Sequence, residues 1–109
     1  MGQSLPMFDV FKTMCENVYF NPPDKMQLTY PCIMYQLDNT SIFHASNKIH
    51  AKHKRYTVTV IDRDPNSNIP DLVLDLPYCN HDRTFVNDNL YHYVFTLYCS
   101  NDGRIYLTT

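Results

Sequence analysis

The chain has 109 residues and a mass of 12.9 kDa, enough for one domain and too short for two independent cores. Hydrophobic residues make up 44% and charged residues only 18%, which excludes a disordered chain and a coiled coil, while the restriction of glycine to Gly2 and Gly103 excludes the phosphate loops of Rossmann and P-loop proteins. The net charge of −2 and a pI near 6.1 weigh against stable nucleic-acid binding, and no apolar run reaches the length of a membrane span.

The N-terminal Met-Gly-Gln-Ser-Leu-Pro has neither a basic flank nor an apolar core, so the expectation is a protein that starts in a cytoplasm. Met7, Phe8, Phe11, Met14, Cys15 and Val18 recur at helical spacing after Ser4 and Pro6, which predicts an amphipathic helix over 7–19. Pro22-Pro23 ends it. The β-branched and aromatic run from Leu28 to Leu37 predicts a strand that begins at or just after Pro31. Residues 38–48 are polar and punctuated, and predict a functional loop of about ten residues.

A strand is predicted over 49–62, with Tyr56, Val58 and Val60 on one face and Thr57, Thr59 and Ile61 on the other. Turn chemistry follows in Asp62-Arg-Asp-Pro-Asn-Ser-Asn68, then a short helix opened by Ile69-Pro70-Asp71, capped by Ser67 or Asn68 and closed by Pro77. Its Ile69, Leu72, Val73 and Leu76 are assigned to one buried face. Residues 78–86 and 90–99 predict an antiparallel hairpin about Asn87-Asp88-Asn89, whose residues tolerate left-handed backbone. Asn101-Asp-Gly103 is a turn, and the tail from Arg104 to Thr109 either frays or adds a strand elsewhere. The expected fold is α+β in the order α-β-β-α-β-β: a four-stranded, mainly antiparallel sheet with both helices on one face, in a single domain over 1–109. Its expected core is Phe11, Tyr56, Val58, Val60, Leu72, Leu76 and Phe95.

Cys15, Cys32, Cys79 and Cys99 lie 17, 47 and 20 residues apart in apolar contexts without a CxxC pair, so they read as reduced core thiols. His50 and His53 form the one short-spaced ligand pair, and zinc needs pairs from at least two segments. No metal or cofactor is expected. Asp62, Asp64 and Asp82 with His81 and His92 are the candidates for acid–base work, yet Asp62-Arg63-Asp64-Pro65 suits a capped turn. Adjacent strand residues such as His81 and Asp82 point to opposite faces. A Cys–His nucleophile would lack an oxyanion hole, so the reading is not an enzyme. Nine tyrosines suit a surface where protein meets protein.

Charge is partitioned along the chain. Lys48, Lys52, Lys54 and Arg55, with His50 and His53 between them, give a local +4, whereas 56–102 holds seven Asp against Arg63 and Arg83, a sum of −5. Three readings stay open for the basic segment: a phosphate-binding stripe, a patch complementary to an acidic surface on a neighbouring copy, or a solvated edge strand protected by lysines. The acidic counterpart is assigned to Asp62, Asp64, Asp82 and Asp88.

The stretches Tyr30-Pro-Cys-Ile-Met-Tyr35, Lys54-Arg-Tyr-Thr-Val-Thr-Val-Ile-Asp-Arg-Asp-Pro65, Ile69-Pro70, Leu76-Pro77 and Asn89-Leu-Tyr-His-Tyr-Val-Phe-Thr-Leu-Tyr98 resemble the small tail-terminator or tail-completion proteins of long-tailed bacteriophages. The resemblance covers residues 5–99. It implies a virion protein, assembled in the bacterial cytoplasm, that closes into a homohexameric ring at the head-proximal end of the tail tube. It also implies contacts with the tail tube protein and the head connector, genomic DNA passing through the lumen without specific binding, and no membrane. No catalytic residue is carried over. The alternatives are a head-completion or minor capsid protein and a small nucleic-acid-binding module.

Overall fold

The structure, a computed structural model, describes the backbone of residues 3–45, 48–100 and 104–107, and the side chains of 5–38, 54–99 and 105. In chain order the elements are β1 (Gln3–Pro6), α1 (Met7–Met14), β2 (Val18–Phe20), β3 (Cys32–Ala45), β4 (Lys48–Asp62), α2 (Ile69–Leu74), β5 (Cys79–Asn87), β6 (Leu90–Ser100) and β7 (Arg104–Leu107). The class is α+β. The main sheet has five strands in the order β2-β3-β4-β6-β5, with β2 parallel to β3 and every other pair antiparallel, and β1 pairs antiparallel with β7 in a separate two-stranded sheet.

Three sequence expectations change. The first helix ends at Met14 rather than 19: Cys15 is already extended, and its N–H bonds the Phe11 carbonyl at 3.0 Å. Val18-Tyr-Phe20 is β-branched and aromatic, and it gains more as a strand beside Ile33–Tyr35 than as a last helical turn, so the sheet has a fifth, parallel strand. The tail takes the second of its two expected courses, with Arg104–Leu107 adding a strand against β1.

The third change is the largest. Residues 38–48 are not a loop, because β3 runs on to Ala45 and β4 starts at Lys48, so these two strands form one long hairpin. The register shifts once between Leu37 and Asn39 and again between Phe43 and His44, leaving Asp38 and His50 as the extra residues of two bulges. β2 pairs with β3 only as far as Tyr35, and β6 pairs with β4 only from His53 onward. Beyond those limits the hairpin is two strands wide. Period-2 alternation arises where one face of a sheet is buried, and a two-stranded ribbon imposes no such requirement, so the polar sequence of the arm carried no strand signal. The principal-axis extents are 50 × 31 × 21 Å. Fifteen residues of β4 at about 3.3 Å each nearly span the longest of them.

Both helices pack on one face of the sheet. Ile33 and Tyr35 of β3, Tyr56, Val58 and Val60 of β4, and Phe95, Leu97 and Cys99 of β6 meet Met7, Val10 and Phe11 of α1 and Ile69 and Val73 of α2, with Leu76 just past it, in one buried cluster. Leu72, expected in this core, is 39% exposed. The inward positions are Ile69, Val73 and Leu76, spaced four and three apart, and in so short a helix Leu72 falls at the margin of that stripe. The α2 start follows the expected chemistry, with Pro70 in the first turn and the Ser67 hydroxyl accepting the Ile69 N–H at 3.3 Å.

The opposite face is half covered. The segment after β2 folds back over it: Pro22 lies against Met34, Gln36, Thr57 and Thr59, the Thr29 N–H bonds the Tyr19 hydroxyl at 3.2 Å, and Arg63 sits over the Tyr30 ring. Cys32, Ile61 and Val94 are buried on this side.

No disulfide joins the four cysteines; Cys15, Cys32 and Cys99 are buried and Cys79 is half-buried. Burial pushes the Cys32 thiol up to about 12, with nearby Cys15 and Asp62 adding to the shift, and burial, then Asp82, pushes Cys79 up to about 11. An unfolded thiol ionises near pH 8.5, so the native state holds these protons longer than the unfolded one. Their contribution to stability is therefore complete below about pH 8.5 and is lost as pH climbs toward the folded values. We expect the urea midpoint to fall steadily between about pH 9 and 11, and native Cys32 to resist iodoacetamide at pH 8. Rapid native labelling at Cys32 would contradict its placement.

Candidate functional site

β4 sets the layout of the charged residues, because it carries basic residues at its start and acidic ones at its end. Lys48, Lys52 and His53 sit on the arm opposite Ala45, Ile42 and Ser41, and His50 is the bulged residue. The side chains of these four lie outside the described residues. Lys54 and Arg55 follow at the base of the arm, opposite Thr40 and Asn39. Between Asn39 and Ile61 the sequence contains no acidic residue.

Arg55 is already engaged. Its Nε donates to Asp38 Oδ2 at 2.9 Å, and the Tyr98 hydroxyl, then Asp38, raise the guanidinium pKa further above its ordinary value. The bulge at Asp38 places this carboxylate beside Arg55 across the hairpin, so one of the four positive charges counted from the sequence is balanced within the chain. Next to Tyr98 lies Tyr78, which is 79% exposed and left-handed at φ 59, with its carbonyl accepting the Tyr98 N–H at 3.1 Å. A non-glycine residue in this conformation carries local strain, and its ring projects freely.

The acidic residues divide into two groups. Asp62 is buried, at 9% exposure, and its Oδ1 accepts the Asp64 N–H at 3.0 Å; Asp64 Oδ1 in turn accepts the Asn66 N–H at 2.9 Å. These two carboxylates hold the turn from β4 into α2, as the local sequence suggested, and only Asp64 reaches the surface. Asp71 of α2 belongs to the same end. Burial, Tyr91 and then the carboxylates of Asp62, Asp64 and Asp71 raise the Tyr93 hydroxyl above its ordinary value. The turn at Asp88 and Asn89 lies at the same end of the sheet, since Asp62 pairs with Tyr91 and Asn87 with Leu90. Both turn residues are left-handed, at φ 53 and 62, as a two-residue hairpin turn requires.

Asp82 is elsewhere. It sits at a bulge between His81 and Arg83, partway along the edge strand β5, and accepts a hydrogen bond from the Thr96 hydroxyl at 2.5 Å. It therefore does not belong with Asp62, Asp64 and Asp88. His81 bonds Thr84 and packs on Phe95, whereas His92 stacks on Phe85, so the His-Asp-Arg triplet and the two histidines do not converge. Among the described residues no group of three or more His, Cys, Asp or Glu side chains gathers as metal ligands, and no helix is long and apolar enough to cross a membrane.

The chain thus has a basic arm at one end and the carboxylates of Asp64, Asp71 and Asp88 toward the other. Lys54 and Asp62 are eight residues apart on one strand, about 26 Å. An arm pointing away from those carboxylates cannot fold back onto them. What sequence reasoning missed is the exposed apolar edge: Tyr78, Phe85 and Val86 are 79%, 40% and 58% exposed. β6 is apolar or aromatic over most of its length, but it is its neighbour β5 that lies at the sheet edge with nearly every residue open to solvent.

No protein-family model matches the chain, and a search of curated proteins finds no match to it.

Proposed function

We propose that this protein is a structural subunit of a phage virion that caps the head-proximal end of the tail tube, stops its polymerisation and joins it to the head connector. The observation that carries the reading is the polar subunit, elongated to 50 Å with a basic two-stranded arm at one end and carboxylates at the other. Unlike surfaces at opposite ends favour heterologous contacts, in which each copy offers one surface and receives the other; such contacts close into a ring when the rotation permits. Six copies is the number the sequence resemblance implies. The α+β fold and the exposed Tyr78 and Tyr98 are compatible with an assembly role.

A second reading has an observation of its own. An acid-free basic ribbon two strands wide suits phosphate backbones, as in a nucleic-acid-binding module. Negative-stain microscopy of the purified chain, alone and with tail tubes, separates the two. A ring seated on tube ends, and tails of uncontrolled length in virions made without the protein, are the expected results. Retention on DNA that falls steeply with salt, without rings or tube capping, would replace this function with the second. A ring that binds the head connector and never tube protein would point to a head-completion role instead.

A further inference from the structure

β5 is the outermost strand on its side of the sheet, nine residues long, and it carries no proline, no lysine and a single arginine, Arg83. Edges of this kind template pairing with another strand unless they are blunted. The bulge at Asp82 blunts the first half; the second half, Arg83 to Asn87, is regular. Its hydrogen-bonding parity follows from the turn. In a two-residue hairpin the flanking pair, here Asn87 and Leu90, exchanges both backbone bonds, and the ladder then alternates so that Phe85 and Arg83 also bond inward to β6. The N–H and C=O groups of Thr84 and Val86 consequently point outward along the open edge.

We propose that this edge is a self-association site, at which two copies pair their β5 strands antiparallel about a two-fold axis at Phe85. With Phe85 opposite Phe85, Thr84 of each copy meets Val86 of the other, so both outward-pointing residues find backbone partners of the correct parity. The Phe85 rings meet in the closely spaced, non-hydrogen-bonded position, and each is already stacked on His92 at 4.6 Å with the Arg83 guanidinium 5.9 Å from its centroid. The result is a cross-strand aromatic row four strands wide.

Charge favours this register. Arg83 comes opposite Asn87 of the second copy and next to Asp88 in its turn, and symmetry repeats the pairing, whereas a register centred on Arg83 would set two arginines against each other. Other occupants lack this complementarity: the basic arm would bring further cations to Arg83. The site is separate from the basic arm and shares only Asp88 with the acidic end used in ring closure, and it does not depend on the tail reading.

Sedimentation of the full chain over a concentration series tests it, together with two variants. Val86→Pro removes an outward N–H while leaving the β5–β6 ladder intact, and is expected to weaken the dimer at least about tenfold with unchanged circular dichroism. Phe85→Cys should give a disulfide-linked dimer on mild oxidation, because the closely spaced pair sets Cα atoms about 4.5 Å apart. Asn87→Cys, which meets Arg83, should not, nor should the native cysteines. A chain that stays monomeric at all concentrations, a dimer indifferent to Val86→Pro, or equal crosslinking at positions 85 and 87 would overturn the site. A ring that forms without Phe85→Cys crosslinking would overturn it while leaving the tail function standing, and so would a monomer whose edge accepts only an unlike extended peptide.

Discussion

Phe95→Ala is expected to lower the stability of the folded chain by about 3–5 kcal/mol in urea unfolding. Phe95 is 1% exposed on β6, between β4 and β5, and lies opposite Val58 on one side and His81 on the other. Phe11, also fully buried, reaches the sheet from α1 and meets the Tyr35 ring edge-on at 5.1 Å. Removing either ring leaves a void walled by secondary structure, which cannot collapse cheaply, and domains of this size are stable by only about 5–15 kcal/mol. Leu72→Ala serves as the internal comparison. At 39% exposure it should cost less than about 1 kcal/mol, although the sequence pattern placed it in the same core. Equal losses for Leu72→Ala and Phe95→Ala would mean that α2 docks through a different face.

The difference between those two residues shows where sequence patterns carry information. Val58 and Val60 on β4 alternate with threonines because one sheet face is buried, and alternation of that kind is readable without a structure. The same holds for the β5–β6 hairpin, whose Asp88-Asn89 turn chemistry is local, and for the α2 start at Pro70. Leu72 shares its apolar character with its neighbours, and its position at the edge of the stripe depends on how a six-residue helix lies on the sheet. The arm was illegible for another reason. Strand pairing between Asn39 and Lys54 rests on backbone bonds across a ribbon, and these leave no hydrophobic period behind.

The candidate surface was legible in charge but not in place. Counting residues located a basic segment and an acidic remainder, yet the bond from Arg55 to Asp38, the burial of Asp62 and the hydrogen bond that ties Asp82 to Thr96 away from the acidic end needed three dimensions. Each of these reduces the number of charges free to meet a partner. What is left is simpler than the sequence count suggested: lysines on and beside the arm, and Asp64, Asp71 and Asp88 at the far end.

Lys52→Glu combined with Lys54→Glu is accordingly expected to abolish ring formation on tail tubes at low salt while leaving subunit stability within about 0.5 kcal/mol of the parent chain. The two residues are two positions apart on β4 and therefore share a face of the ribbon, opposite Ile42 and Thr40. Reversing both turns a surface attracted to carboxylates into one repelled by them, a change of four charges at one end of the subunit. The polarity of the molecule makes a specific rescue available: Asp64→Lys with Asp88→Lys, introduced into the same chain, restores opposite signs at the two ends in the reverse sense. Assembly should return in that quadruple variant, and the difference between parent and double variant should shrink as salt shortens the range of the charges to about 3 Å at 1 M. Normal capping by the double variant would remove the electrostatic account of the arm. Failure of the rescue, with the quadruple variant folded, would place the acidic partner of the arm on another virion protein, the tail tube or the head connector, and not on a neighbouring copy of this chain.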